Sequence, residues 1–245
     1  MFKTKCPVFR ASLISLSLFF AFTSGISAQD TEEEDLFNLE MQGRLRIGAM
    51  FLVGFGLEDH LVGKTTEDKD INISGGGGIG GVLILGYGIS SDIDLSAGFG
   101  LQQSSLRPNV ENAEGDFTRT SLTATVHYRL PIATKGLLRF GTGIGYYMPD
   151  DLDLDMSKVT EGAHNIFSYK SNVGFHIIAE YEGFFNEKFS WTAGLQFNSV
   201  SYDIESAQSN GISIPIDEVP QETMDEIGEL NGNSIDLILS LNYYL

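Results

Sequence analysis

The segment Asp150-Asp151-Leu152-Asp153-Leu154-Asp155 sets four carboxylates within six residues. In any extended segment Asp151, Asp153 and Asp155 share one side. Hard divalent cations take several oxygen ligands, so these three residues are the candidate for weak Ca²⁺ or Mg²⁺ binding. The glycine and the closing glutamate of a calcium-binding loop are missing from their expected offsets. A strand carrying acids into solvent explains the run equally well. No other cofactor is indicated. The four histidines, His60, His127, His164 and His176, offer little for catalysis, because a nucleophile needs an oriented base and His127-Tyr128-Arg129 has no neighbouring serine. The residues therefore read as non-enzymatic, with a lipid-modifying hydrolase as the most remote alternative.

A second set of charges is scattered through the chain: Arg44, Arg46, Asp94, Arg129, Arg139, Lys170, Glu180, Glu182 and Asp236. Each sits in a stretch that alternates apolar and polar residues with a period of two, the signature of a strand with one wet and one apolar face. In 234–245 the alternation puts Ile235, Leu237, Leu239, Leu241, Tyr243 and Leu245 on one face, with Ser234, Asp236, Ser240 and Asn242 on the other. Eight such stretches follow one another, beginning near residues 43, 78, 93, 117, 137, 167, 189 and 234. All nine charges fall on the polar side of the pattern, together with many glycines.

Residues 1–28 read as a cleavable signal peptide. Lys3, Lys5 and Arg10 precede the apolar run 13–22, and small residues end at Ala28. Cys6, the only cysteine, lies in that segment, so disulfides do not stabilise the exported chain. Residues 29–42 form an acidic tail (Asp30, Glu32, Glu33, Glu34, Asp35, Glu40) on the periplasmic side. Residues 1–28 take with them three of the 15 basic residues and none of the 33 acidic ones, which excludes a nucleic-acid partner.

The connections between stretches alternate in length. Those after the second, fourth and sixth are short, and the others are long. Short periplasmic turns, longer outside loops and an even strand number characterise bacterial outer-membrane barrels. Tyr87, Tyr128, Tyr181, Trp191 and Tyr243 suit one headgroup girdle, and Phe117, Tyr146, Phe167 and Tyr169 the other. The fold expected for 43–245 is all-β, an eight-stranded antiparallel up-and-down transmembrane β-barrel.

This pattern, with the closing Leu237-Ile238-Leu239-Ser240-Leu241-Asn242-Tyr243-Tyr244-Leu245, resembles the small outer-membrane β-barrel domain family of the OmpA/OmpX type. The resemblance implies a bacterial outer-membrane location, contact with outer-membrane lipid and lipopolysaccharide, and a terminal strand read by the barrel-insertion machinery. Such signals usually finish on Phe, whereas this one ends on Leu245. An eight-stranded barrel has an interior just wide enough for side chains to fill, so the inward charges are expected to pair as a plug. The inward glycines leave a narrow channel as the alternative. In the fourth long loop, Pro220 precedes Met224, Ile227 and Leu230 at spacing three, which predicts a short helix capping the mouth. The reading is a structural or surface-interaction protein acting through acidic outside loops, with its extracellular ligand open.

Overall fold

The computed structural model describes residues 41–64, 69–108, 114–133, 135–156 and 164–245. The expected signal peptide and all but the last two residues of the acidic tail lie outside the described residues. In chain order the strands are β1 (Leu45–Gly56), β2 (His60–Lys64), β3 (Asp70–Ile73), β4 (Gly78–Gly88), β5 (Ile93–Ser105), β6 (Glu114–Ala133), β7 (Gly136–Pro149), β8 (Leu152–Asp155), β9 (His164–Tyr169), β10 (Asn172–Phe184), β11 (Phe189–Ser199), β12 (Ser201–Ser209), β13 (Ile212–Ile214), β14 (Glu229–Asn231) and β15 (Ser234–Tyr244). Among the described residues one α-helix, α1 (Gln221–Ile227), precedes β14, after a single 3-10 turn at Ile216–Glu218.

Eight of these strands close on themselves. The order β1-β4-β5-β6-β7-β10-β11-β15 returns to β1 with antiparallel pairing throughout. Met50 stands opposite Val82 on one side and Ser240 on the other. Closure satisfies every ladder hydrogen bond, which hydrocarbon requires because it supplies no partner of its own. Outward residues are mostly apolar on all eight strands, with Thr142 on β7 and Gln103 on β5 among the exceptions. Leu83 and Leu241 are each 65% exposed, and Ile144 and Val173 62%. No water-soluble barrel could show such a continuous apolar surface, so the chain is a transmembrane barrel.

The periplasmic turns are stiff for local reasons. Ser90 Oγ accepts the N–H groups of Asp92 and Ile93, and Asn186 Oδ1 accepts those of Lys188 and Phe189. Directly above them the Tyr181 and Trp191 rings stand 5.4 Å apart, and the Phe189 and Tyr243 rings 4.9 Å apart. These form the expected periplasmic girdle.

The opposite end departs from expectation, because three long loops fold onto the barrel as a collar. The wall of the barrel continues past the apolar band through the start of β6 and through β8, β9 and β12. The β2–β3 hairpin joins it by the Asn72–Arg107 bridge, and β14 pairs with β12. Phe117, Phe167 and Tyr169, expected in an outer lipid girdle, are instead buried inside the collar. Tyr146 does face outward. The reason on β9 is a change of parity. In β10 the even residues His176, Ile178 and Glu180 point inward, but across the break at Lys170 and Ser171 the odd residues Phe167 and Tyr169 do. Helix α1 starts just after Pro220, which serves as its N-cap, and it buries Ile227 in the collar core beside Leu230.

Candidate functional site

The barrel interior is filled in layers, and the sequence-predicted charges belong mostly to the layer nearest the periplasm. Arg139 on β7 is fully buried. Its Nη2 lies 3.2 Å from both Asp94 oxygens, and its Nη1 is 3.3 Å from Glu180 Oε2 and 3.7 Å from Glu182 Oε2. Arg129 stands 3.9 Å from Asp94 and donates to the carbonyls of Ser90 and Ile93. Arg46 donates to Asn242 Oδ1 at 3.4 Å. Glu182 accepts from the Tyr244 hydroxyl at 2.6 Å and from the Ser190 hydroxyl. Three guanidinium groups, Arg46, Arg129 and Arg139, thus balance three carboxylates, Asp94, Glu180 and Glu182. Buried charge persists only when it is compensated; charge is balanced across this layer, while Arg46 Nε, Arg129 Nε, Arg139 Nε, Glu180 Oε2 and Glu182 Oε2 have no hydrogen-bond partner in it.

Two of the expected lumen charges lie elsewhere. Arg44 sits at the periplasmic rim, its Nη2 donating to the Glu187 carbonyl at 2.7 Å and its guanidinium 5.3 Å from the centre of the Tyr244 ring. Lys170 is exposed at the parity break, where neither strand's inward register includes it.

The next layer is apolar. Met50, Leu52, Ile178 and Ile238 are buried together, with Val82 and Ile84 packed against them. Above it lies a second polar layer centred on Arg119, a residue missed in the sequence. Arg119 donates twice to Gln102 Oε1, at 3.0 and 2.6 Å, and once to the Gly232 carbonyl at 2.9 Å. Asp236, expected to meet an arginine or lysine, feels the charge of Arg119 without a direct ion pair to it, and its Oδ2 accepts from Asn198 Nδ2 at 2.7 Å. Ser234 Oγ connects the two groups, 3.1 Å from Asn198 Nδ2 and 3.5 Å from Arg119 Nη2.

Between these layers remains a cavity of about 60 Å³, reached by Arg46, Gln102, Arg119, His127, His176 and Asp236 among others. This is room for a few waters. The inward glycines do not open it further, because neighbouring side chains use their space. A Cβ on Gly141 would stand 2.7 Å from His127 Nδ1, and one on Gly143 2.7 Å from the His176 ring.

Folding brings together a set that no sequence neighbourhood shows: His127 Nε2 is 3.0 Å from Ser96 Oγ, while its Nδ1 is 3.9 Å from Glu180 Oε2. The order serine, histidine, carboxylate is that of a nucleophilic triad. The geometry is poor for that chemistry, since Glu180 is held by Arg139 and the cavity is far below the size of an acyl substrate. His176 Nε2 is likewise engaged, 2.8 Å from Thr125 Oγ1.

The collar closes the outer end with a hydrophobic core. Phe117 packs edge-on to Tyr169 with ring centres 6.2 Å apart, and its ring lies 5.9 Å from Tyr202. Ile71, Ile73, Leu152 and Leu230 are completely buried around them. The Tyr169 hydroxyl donates to the Ile227 carbonyl at 3.0 Å. Burial pushes the Tyr169 and Tyr202 phenols up from their ordinary range.

The aspartate run is part of this collar. Leu152 and Leu154 of β8 point into the core, so Asp151 and Asp153 face solvent. Alternate residues along a strand are about 6.7 Å apart, too far for Asp151, Asp153 and Asp155 to converge on one ion. Among the described residues, no group of three or more His, Cys, Asp or Glu side chains is placed to hold a metal. Asp153 instead contacts His164 Nε2 at 2.7 Å.

No protein-family model matches the sequence, and no curated protein sequence does. Solved structures do match. The outer membrane protein OprG from Pseudomonas aeruginosa is similar at 11% identity over 85% of this chain and 99% of its own, with a TM-score of 0.58. AlkL, determined in lipid bilayers, is similar at 12% identity over 90% of this chain and 97% of its own, with a TM-score of 0.50. The chain therefore has the fold of the small eight-stranded outer-membrane barrels.

Proposed function

We propose that this chain is a closed, non-conducting and non-enzymatic barrel of the bacterial outer membrane. In this reading its folded acidic collar performs a structural or surface-interaction role. The observation that carries the proposal is the sequence of layers across the barrel axis. A charge layer, an apolar layer and a second polar layer are followed by a collar core, and the cavity between the polar layers holds about 60 Å³. A channel would need the Arg139 cluster, the apolar layer around Met50 and the collar core all to part.

The apolar face of the barrel meets outer-membrane lipid and the acyl chains of lipopolysaccharide, and the strand ending Tyr243-Tyr244-Leu245 is read by the insertion machinery. The collar is left as the surface offered to an extracellular ligand. Swelling of liposomes containing the protein tests the closed state: rates equal to those of empty liposomes in small sugars support it, and faster swelling overturns it. A fluorophosphonate probe tests the absence of catalysis. Labelling of Ser96 would show an active nucleophile, whereas no labelling is expected.

A further inference from the structure

Two periplasmic turns meet at one side of the rim, that between β6 and β7 and that between β10 and β11. The Phe184 N–H donates to the Lys135 carbonyl at 2.9 Å and ties the two together. The second turn is also held from its far side, where the Lys188 carbonyl accepts the Tyr244 N–H at 2.8 Å and the Glu187 carbonyl accepts from Arg44 Nη2 at 2.7 Å. Asn186 Oδ1 accepts the Lys188 N–H at 2.9 Å. The backbone beneath both lysines is therefore fixed. Where the turns meet they leave an open cleft of about 500 Å³, lined by Lys135, Phe184, Phe185, Asn186, Glu187 and Lys188.

The chemistry of this cleft is that of a lipid headgroup site. Lys135 and Lys188 are exposed, and among the described residues neither side chain meets a carboxylate. Two ammonium groups against the single carboxylate of Glu187 leave one net positive charge, which a phosphodiester matches. Asn186 has its Oδ1 occupied by the Lys188 and Phe189 N–H groups, so its Nδ2 is the end left to bind, and that end only donates. Phe185, 62% exposed at the same turn, supplies an apolar flank. Cation, donor and aromatic ring together fit a group that is anionic at one end and hydrocarbon at the other.

The depth agrees. Trp191 pairs with Tyr181 in the periplasmic girdle, and such rings sit at headgroup level. Its Nε1 lies over Gly183, where an added Cβ would stand 2.7 Å away, and Phe184 is the next residue. The cleft therefore begins where the girdle ends, at the level of the lipid phosphates. Lysine stems lie along apolar surface while their ammonium groups reach such phosphates. At the opposite end of the barrel, exposed acids such as Asp150, Asp151 and Asp203 repel the same headgroup.

We propose that the cleft between these two turns is a binding site for the headgroup of an anionic glycerophospholipid in the periplasmic leaflet. Lys135 and Lys188 hold the phosphate, and Phe185 lies against the glycerol and the first methylene groups. The site rests on the contact with lipid proposed above, and not on the lumen's being closed.

Trp191, the only tryptophan of the chain, reports the lipid at this place without a label on the protein. The full chain is inserted in phosphatidylcholine vesicles, and its fluorescence is quenched by phosphatidylglycerol or phosphatidylethanolamine spin-labelled near the carboxyl end of the acyl chain. Association about fivefold stronger for phosphatidylglycerol is expected, since one lysine at an anionic lipid surface contributes roughly that factor. Lys135→Gln combined with Lys188→Gln should lose the preference, while Lys170→Gln, which removes a lysine at the collar, should keep it. Equal quenching by the two lipids in the wild type overturns the site and leaves the lipid contact standing; quenching by neither refutes the contact itself and the site with it. A preference that survives the double substitution, or that Lys170→Gln also abolishes, overturns the site as well. So does a preference removed by inorganic phosphate but not by chloride at equal ionic strength, because that result assigns the cleft to a free anion. If the double variant does not insert, Lys135→Gln and Lys188→Gln are measured singly: a lowered preference in each supports the site, and an unchanged one in both overturns it.

Discussion

Arg139 and Glu180 stand directly opposite each other on β7 and β10, with Nη1 3.3 Å from Oε2 and both side chains removed from solvent. Cutting one member of such a pair leaves uncompensated charge, so Arg139→Met is expected to destabilise the barrel by roughly 3–5 kcal/mol. Neutralising the carboxylates as well, with Asp94→Asn and Glu180→Gln, should recover much of that loss. Urea unfolding in lipid vesicles measures both.

The collar should unfold separately from the barrel, because it has its own core. Leu230→Ala removes a completely buried side chain and should cost about 2–5 kcal/mol of collar stability. Tyr169→Phe removes one hydrogen bond to the Ile227 carbonyl and should cost about 0.5–1.5 kcal/mol. Protease added from outside should then cut 203–231 faster in Leu230→Ala, while the strands within the membrane stay protected.

How far the fold could be read in the sequence depended on where each residue lies along the barrel axis. Within the membrane the alternation is nearly strict, so the outward faces of β1, β4, β5 and β15 and the short turns follow from it. It says less about the lumen. Met50, Leu52 and Ile238 are apolar residues on the inward side, and among apolar outward neighbours they look like breaks in the pattern. Arg119 and Phe117 lie within the stretch that begins near residue 117, and its parity turns both inward; the girdle reading of Phe117 followed its aromatic type instead. Lys170 reads as an inward charge but is exposed, because a two-residue break reverses parity there and nothing local announces it. The Ser96–His127–Glu180 grouping joins residues far apart in sequence, which only strand register brings together.

The lipid face should tolerate no charge at mid-membrane. Leu239 is 54% exposed on β15, opposite Phe51 and Ala193. Leu239→Arg is expected to destabilise by roughly 2–4 kcal/mol, again read by unfolding in lipid vesicles. A neutral effect would argue that this face does not meet hydrocarbon.

Single-channel recording in a planar lipid bilayer tests the closed-barrel account most directly. With the wild-type chain inserted, no conductance steps above the bare bilayer are expected in molar salt, because the Arg139 layer, the Met50 layer and the collar core each block the axis. Reproducible steps that depend on the inserted protein would contradict it.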